Sequence, residues 1–447
     1  MNEVNTAELS ERTKRAGAIR EQMAWVEPSV WTDRMLTALN EGVKGGKWFS
    51  LIDKVYGQAN LEAAWKEVAA NKGSGGVDHV TIKRFGQRLN AELKALGEDL
   101  SSGRYEPQAI RRVYIPKPGS REKRPLGIPT VRDRVAEAAL RHVMEPIFER
   151  EFARQSYGFR PGRSAKDALR EVDRRLHEGY GYVVDADLKS YFDTIPHGKL
   201  MDRIRERVAD GRVLDLVEAF LKQGVMERGE IRASEAGTPQ GGVISPLLAN
   251  IYLSTLDHQM EQKGYVMIRY ADDLVILCRT EAEARRAMEE LKAWVQAAGL
   301  SLHEQKTQTV NMAIAGSGFD FLGYHFERTR RGRLSRWPRS KSLRKFKDTI
   351  RSYTHRANGR SLGEIIARVN VVSRGWFEYF KHSNRLTFVG MDGWLRQRLR
   401  SILRKRKGGR GRARGRDHQR WPNALFRGYG LFSLTEAHVL FCQSVHR

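Results

Sequence analysis

The chain is poor in cysteine, with only Cys278 and Cys442 among its 447 residues. Two cysteines are too few for a framework of several disulfide bonds or for a zinc site with four cysteine ligands. Long apolar runs are also missing, and none approaches the roughly 18 to 20 residues that a transmembrane helix requires. The first 22 residues lack the apolar core of a secretory signal peptide. These absences predict a cytoplasmic protein without a membrane partner.

Acidic residues are scarce in the C-terminal part of the chain. Residues 328–447 contain 31 of the 79 Lys and Arg residues but only 6 of the 53 Asp and Glu residues, so they carry nearly all of the formal net charge of +26. A near-neutral body joined to a strongly cationic region is typical of a protein that binds a polyanion, most often a nucleic acid. An ordinary basic protein and an anionic membrane surface are the less favoured alternatives.

The residue patterns change along the chain, which is too long for one ordinary core. Helical spacing dominates up to about residue 180, and short β-rich runs alternate with helices from there to about residue 327. Beyond residue 328 the pattern is helical and basic, so we predict an α+β fold followed by an all-α basic domain. Residues 404–416 hold eight basic residues and four glycines. This composition predicts a flexible arm that becomes ordered on a phosphate backbone.

Two adjacent carboxylates, Asp272 and Asp273, separate two predicted β-strands. Such a pair can be buried only if something neutralises it, and oxygen ligands favour Mg²⁺ or Mn²⁺. An exposed turn is the simpler alternative. Asp187, near the end of the predicted strand 182–188, supplies a third carboxylate for two metal ions that would support phosphoryl transfer. Asp185 lies on the same face of an extended strand, so spacing does not decide between it and Asp187.

Further motifs occur in a fixed order along the chain. They are RPLGIPT at 124–130, SYGFRPGR at 156–163, GTPQGGVISP at 237–246, YADD at 270–273, GLSLHEQK at 299–306 and FLGY at 321–324. As an ordered series spanning about residues 55–440, they resemble the reverse transcriptases encoded by bacterial group II introns. YADD alone would not be specific.

The resemblance implies a right-hand polymerase fold and a set of domain boundaries. The implied parts are an N-terminal helical extension (1–60), fingers (61–180), a palm with the catalytic carboxylates (181–327), a thumb or maturase domain (328–403), and a basic linker with a nucleic-acid-binding tail (404–447). Four aromatic side chains of the implied thumb, at helical spacing between residues 376 and 380, are expected to pack in its core.

The implied activity is that of an RNA-directed DNA polymerase. It would bind its group II intron RNA, assist splicing as a maturase and copy the intron into DNA during retrohoming, with a DNA target, a primer and dNTPs as further partners. The chain ends at Arg447 without the paired cysteines of the HNH endonuclease found in many relatives. It is therefore expected not to nick DNA and to use an existing 3′ end. The oligomeric state is not indicated.

Three other functions stay open beside this one. A maturase that only assists splicing is disfavoured by the intact set of three carboxylates. A domesticated reverse transcriptase in phage defence or CRISPR adaptation would be revealed by its genomic neighbours. A viral RNA-dependent RNA polymerase is disfavoured by Phe192, which the resemblance places under the sugar of the incoming nucleotide, where its bulk would exclude a 2′-hydroxyl.

The resemblance also assigns roles to individual residues. Catalysis is assigned to Asp187, Asp272 and Asp273, and two Mg²⁺ ions, or Mn²⁺, to these aspartates together with Leu188. Asp187 is favoured over Asp185 because its distance from Phe192 fits the family pattern. The implied nucleotide contacts are Lys117, Arg124, Phe192, Gln240 and Lys306. The implied nucleic-acid contacts are Arg160, Arg163, Arg374, Lys405, Arg406 and Arg412.

Some of these roles have simpler alternatives. Without the resemblance, Lys117 and Arg124 would be solvated turn charges, although two cations flanking a turn suit a triphosphate. Lys306 matches a position proposed to help protonate pyrophosphate. A structural salt bridge is as reasonable for Arg160 and Arg163 as a contact with template phosphate.

Overall fold

The computed structural model describes residues 17–116, 123–233 and 235–445. Lys117, a predicted nucleotide contact, lies outside the described residues. The strands in these ranges are β1 (Ile110–Pro116), β2 (Lys123–Ile128), β3 (Tyr182–Asp187), β4 (Val225–Glu227), β5 (Glu230–Arg232), β6 (Val266–Tyr270), β7 (Asp273–Cys278), β8 (Gln308–Asn311), β9 (Gly318–Phe321), β10 (Tyr324–Arg328) and β11 (Leu334–Pro338). They form three sheets, with the strand orders β2-β1-β4-β5, β6-β7-β3-β8 and β11-β10-β9.

The N-terminal part of the described chain is mainly helical. Apolar residues recur at helical spacing, as in the buried Leu93, Leu96 and Leu100, and this stripe packs each helix against its neighbours. The helices are α1 (17–22), α2 (Asp33–Glu41), α3 (Ile52–Tyr56), α4 (Gln58–Ala70), α5 (Ile82–Gly86), α6 (Leu89–Ser102), α7 (Val131–Glu149) and α8 (Ala165–His177). None of the helices in the described ranges has the length and apolarity needed to cross a bilayer.

The four-stranded sheet β6-β7-β3-β8 is antiparallel throughout and is buried on both faces. Alternate residues of β3 enter different cores: Val184 packs with one cluster and Val183 with the other. The helices of this part are α9 (Tyr191–Thr194), α10 (His197–Arg205), α11 (Gly211–Lys222), α12 (Ser245–Gln262) and α13 (Glu281–Ala297). The first of the two cores lies between the sheet and helices α10, α12 and α13, and the second lies between the sheet, α8 and the sheet β11-β10-β9.

The C-terminal helices enclose a hydrophobic core of their own. Two of the four aromatic residues predicted to pack there do so: Phe377 is 7% exposed, and the Trp376 ring stacks on Phe346 with 4.5 Å between ring centroids. The other two, Tyr379 and Phe380, pack instead with the core that contains β9 and β10. The helices are α14 (Ser340–Tyr353), α15 (Leu362–Phe380), α16 (Arg385–Arg406), α17 (Arg416–Arg420), α18 (Asn423–Gly428) and α19 (Leu434–Val445).

The basic segment 404–416 does not extend freely from this helical domain. Arg404 donates to the carbonyl of Arg410 (3.0 Å) and pairs with Asp417 (2.5 Å), and Gln397 donates to the carbonyl of Ala413 (2.9 Å). The segment therefore folds back on α16. This differs from the flexible arm that its composition predicts, because a carboxylate outside the segment anchors it.

Glu137, inside α7, provides a test of how burial affects stability. Its side chain is 2% exposed and accepts a hydrogen bond from the backbone N–H of Ile244 (3.1 Å). Burial raises the pKa of Glu137 from 4.5 to about 8. The folded protein therefore keeps a proton that the unfolded chain releases above pH 4.5, so this contribution to stability is lost as the pH rises towards 8.

We expect Glu137→Gln to stabilise the protein at alkaline pH. The amide oxygen can still accept the hydrogen bond from Ile244, but the side chain has no proton to lose. The difference in stability between variant and wild type should grow between pH 5 and pH 8 by up to about 1.4 kcal/mol per pH unit. Thermal unfolding over this pH range measures it, and a difference independent of pH would contradict the assignment.

Candidate active site

Three carboxylates meet at one end of the sheet β6-β7-β3-β8. The antiparallel register of β3 and β7 sets Asp187 directly opposite Asp273, and facing residues in such a pair have Cα atoms about 4.5–5.5 Å apart. Asp272 lies in the two-residue turn between β6 and β7, since Tyr270 pairs with Asp273. Ala271, its neighbour in the turn, adopts left-handed backbone angles with φ 58°. The turn thus brings Asp272, and Asp273 directly after it, to the end of β3.

Burial and neighbouring charges raise the pKa of two of these carboxylates, Asp272 and Asp273. Burial, followed by the charges of Asp185, Asp272 and Asp187, raises the pKa of Asp273 to about 7. Burial and the charge of Asp187 also raise the pKa of Asp272. The ammonium group of Lys306 forms an ion pair with Asp187. The ammonium group of Lys306 therefore neutralises only part of the negative charge of these carboxylates.

The carboxylate oxygens of Asp187, Asp272 and Asp273 are of a chemical type that binds divalent cations. Carboxylate oxygens are the ligands that Mg²⁺ and Mn²⁺ prefer, and mutual repulsion of the kind seen here is relieved by a bound cation. Within residues 17–116, 123–233 and 235–445, however, no group of three or more His, Cys, Asp and Glu side chains, these carboxylates included, is gathered as a ready metal site. Asp187 is paired with Lys306 instead, so a bound cation would have to displace that ammonium group. Leu188, the fourth predicted ligand, directly follows Asp187, and its main chain bridges to Leu302.

Asp185, the alternative to Asp187, has different surroundings. It lies opposite Val275, two residues further from the turn than Asp187. Its carboxylate accepts a long hydrogen bond from Gln308 (3.5 Å), and burial together with the charge of Asp320 raises its pKa to about 6. Asp185 thus differs from Asp187 in its strand partner, although its charge also acts on Asp273.

A cavity of about 320 Å³ lies between the start of α9, which follows β3 along the chain, and the strands β1 and β2, and it contains two of the predicted nucleotide contacts. Phe192 and Gln240 line it, and Gln240 Nε2 donates to Asp193 Oδ2 (3.3 Å). Gly237 allows the loop to approach this wall, because a Cβ there would lie 2.7 Å from the carbonyl oxygen of Phe192. Arg124 is on β2, exposed, and is not among the residues that line the cavity.

Two lining residues of this cavity were missed by sequence reasoning. Arg112 and Asp193 both face it, and burial raises the pKa of Asp193 while the charge of Arg112 opposes that rise. The position of Asp193 next to Phe192 is a signal that could have found it. Arg112 carries no comparable signal, because the alternation along β1 does not say which face turns towards the cavity.

Comparisons with known proteins show the family of the chain. Residues 115–326 match the family described as reverse transcriptase (RNA-dependent DNA polymerase), and residues 343–421 match the group II intron maturase-specific domain. Protein YkfC of Escherichia coli (strain K12) is 37% identical over 294 residues, which cover 57% of this chain and 76% of YkfC. The chain belongs to the family of group II intron reverse transcriptases and maturases.

Two other matches are more partial. The group II intron-encoded protein LtrA of Lactococcus lactis subsp. cremoris is 39% identical over 196 residues, covering 43% of this reverse transcriptase but only 32% of LtrA. Among solved structures, a partial Cas6-RT-Cas1–Cas2 complex matches 55% of this chain and 42% of that chain at 22% identity, with a TM-score of 0.36. That superposition is too loose to support an inference.

Of the two roles that the sequence leaves open for Arg160 of the reverse transcriptase, the structural salt bridge is formed, and the predicted contact with nucleic acid is not available to it. Its side chain is buried and donates to both carboxylate oxygens of Glu149 (2.7 and 3.0 Å) and to the carbonyls of Ala153 (2.6 Å) and Ser156 (2.8 Å). These contacts leave the guanidinium without a free donor for a phosphate. Arg163 donates to the carbonyl of Arg154 (2.5 Å) and is only partly exposed.

The remaining predicted contacts lie on the surface of the C-terminal helices. The guanidinium of Arg374 lies 4.7 Å from the ring centroid of Phe432. Arg406 donates to the carbonyl of Asn358 (3.2 Å). Lys405 and Arg412 are exposed. These four residues stay predictions as nucleic-acid contacts.

A buried ion pair supports the turn that carries Asp272. Arg269 is 0% exposed and donates to Asp257 (2.8 Å), to Asn250 Oδ1 (3.0 Å) and to the carbonyl of Ala271 (2.9 Å). Asn250 in turn donates to the carbonyl of Gly158 (2.8 Å). Sequence reasoning missed this network, although an arginine inside an apolar strand next to YADD was a usable signal.

Proposed function

We propose that this chain is an RNA-directed DNA polymerase that binds its group II intron RNA, assists the splicing of that RNA and copies it into DNA during retrohoming. Its substrates would be dNTPs, and its partners the intron RNA, a DNA target and a primer in the cytoplasm. The boundaries given above for fingers (61–180), palm (181–327) and thumb (328–403) belong to this proposal.

The observation that supports it best is the register that sets Asp187 opposite Asp273. Phe192, which lines a cavity together with Gln240, follows Asp187 closely along the chain. Asp187, Asp272, Asp273 and the main-chain carbonyl of Leu188 would hold two Mg²⁺ or Mn²⁺ ions, which when bound activate an attacking hydroxyl and stabilise the leaving oxygens. Phe192 would exclude a ribose 2′-hydroxyl by its bulk, and Gln240 would pack against the template base.

The maturase role is supported by the C-terminal charge. The maturase-specific domain lies within the region that carries nearly all of the net positive charge, and cationic surfaces bind RNA mainly through phosphates. A protein that only assists splicing is the alternative of another class. It is disfavoured because Asp187, Asp272 and Asp273 lie together at one end of a sheet, and negative charges there would repel the phosphates of RNA rather than bind them.

The test is primer extension on an RNA template with dNTPs or rNTPs, comparing wild type with Phe192→Ala. Wild type should incorporate dNTPs faster than rNTPs. In the variant this ratio of rates should fall by about 10- to 200-fold, which is the discrimination that a small steric difference in a pocket usually gives. Phe192→Tyr keeps the bulk and serves as the matched control, which should retain selectivity. Failure of wild type to extend a primer on RNA would refute the polymerase function.

A further inference from the structure

A second groove, of about 900 Å³, lies away from the carboxylates. It is formed where the C-terminal end of α8 meets the β10–β11 turn, the junction of α15 with α16, and α19. Five arginines line it, and its acidic lining residue, Asp173, is already paired with one of them, Arg336. The other four are Arg330, Arg331, Arg333 and Arg385.

The charges of these four arginines are not compensated within the protein. Over the ranges that the structure describes, none of their side chains forms an ion pair, and all four are exposed. On α8 nearby, by contrast, Arg174 pairs with Glu171 and Glu178. Burial, followed by the charges of Arg336 and Lys381, lowers the pKa of His382 in the groove to about 4. The groove thus has a strongly positive potential.

The groove is also distant from the site of chemistry. It adjoins the C-terminal end of α8, where Arg328 donates to the carbonyl of Leu176 (3.0 Å). The chain then enters β3 at Tyr182 and reaches Asp187 at the far end of that strand, about 17 Å away at roughly 3.3 Å per residue. None of the residues that line the groove also lines the cavity of Phe192 and Gln240.

The lining indicates the kind of nucleic acid that would bind. Proteins that hold single strands stack bases on aromatic side chains. The lining of this groove contains three histidines, His177, His382 and His438, but no Trp, Tyr or Phe, so it lacks the larger rings of a stacking platform. It offers guanidinium groups together with the hydroxyl and amide groups of Thr329, Ser335 and Asn384. Such groups contact phosphates and 2′-hydroxyls, the features that an RNA double helix presents.

We propose that this groove binds the phosphate backbone of a double-helical segment of RNA, as a second nucleic-acid site separate from the catalytic cleft. The inference rests on the proposed function, which makes RNA the partner. A site of this kind would hold structured RNA while the cleft is engaged with a primer and template.

The experiment compares wild type with a variant that carries Arg330→Ala, Arg331→Ala and Arg333→Ala, all in an exposed turn. The probe is a 20-bp RNA duplex, titrated at several salt concentrations. We expect the affinity to fall about 10- to 100-fold at low salt and the slope of log K against log salt to become shallower by about 3, roughly one unit per lost phosphate contact. Primer extension on a short RNA template should be unchanged.

The matched control removes the same charge from the opposite face of the central sheet, with Arg285→Ala, Arg286→Ala and Lys292→Ala on exposed positions of α13. It should keep the wild-type slope. An unchanged duplex affinity in the groove variant would overturn the proposal, as would an equal loss in the control or a loss confined to single-stranded oligo(U). If wild type extends primers on RNA but does not bind the duplex, the groove proposal fails while the proposed function stands.

Discussion

Replacing Asp272 and Asp273 together by asparagine is expected to reduce primer extension by about 10³-fold or more. A catalytic metal ion supplies several kcal/mol of transition-state stabilisation, and each 1.36 kcal/mol is a factor of ten in rate. Asparagine keeps the size of the side chain but lacks the charge that holds a cation. Initial rates of dNTP incorporation on an RNA template measure the effect.

The fold itself should survive this double change. Burial, followed by repulsion from the neighbouring carboxylates, raises the pKa of Asp273 to about 7, so replacing Asp272 and Asp273 by neutral side chains should leave thermal stability in the absence of metal unchanged or higher. The maturase function should also survive, since splicing depends on RNA binding and not on these groups. Extension at the wild-type rate would refute the proposed catalysis, and loss of splicing would show that the two activities are not separable.

Single variants of Asp187 and Asp185, both on β3, test which of them acts together with Asp272 and Asp273 in catalysis. Asp187 lies opposite Asp273 at the end of β3, whereas Asp185 lies opposite Val275, two residues further from the turn. Asp187→Asn should therefore share the large loss of extension, and Asp185→Asn should cost much less. The reverse order of effects would move the catalytic role to Asp185.

Local patterns in the sequence were enough to predict the strands and the turn at this site. The strand Tyr182–Asp187 and the turn at Asp272 can be predicted from apolar runs that polar residues interrupt. Such a pattern depends only on residues that are neighbours in the sequence. Spacing could not choose between Asp185 and Asp187, because both lie on one face of an extended strand. That choice depends on the register between β3 and β7, which pairs residues 86 positions apart.

The features that sequence reasoning missed depend on contacts between distant segments. Arg160 was predicted to contact nucleic acid, but its partner Glu149 lies on α7 and takes up the charge. The groove around Arg330 joins four parts of the chain, from α8 to α19. The segment 404–416 was predicted to be a free arm because composition does not reveal Asp417 as its anchor. Each of these outcomes follows from the tertiary fold.

Asp257→Ala is expected to lower the free energy of unfolding by about 3–5 kcal/mol. The substitution leaves the guanidinium of Arg269, which is 0% exposed, without its ionic partner in the core, and an unpaired buried charge is strongly destabilising. A matched control is Asp202→Ala, which removes a 74%-exposed partner of Arg205 on α10 and should cost less than about 1 kcal/mol.

The ion pair can be separated from the support that Arg269 gives to the turn. Asn250→Ala removes one acceptor of Arg269 and the hydrogen bond to Gly158, and should cost about 1–3 kcal/mol. Replacing both ionic partners, with Asp257→Leu and Arg269→Met, should recover much of the stability lost in Asp257→Ala, because apolar side chains need no partner. Primer extension should not recover in that variant, since the carbonyl of Ala271, next to Asp272, has lost its donor. Denaturant unfolding and extension rates measured on the same preparations distinguish the two roles, and recovery of both would show that Arg269 only stabilises the fold.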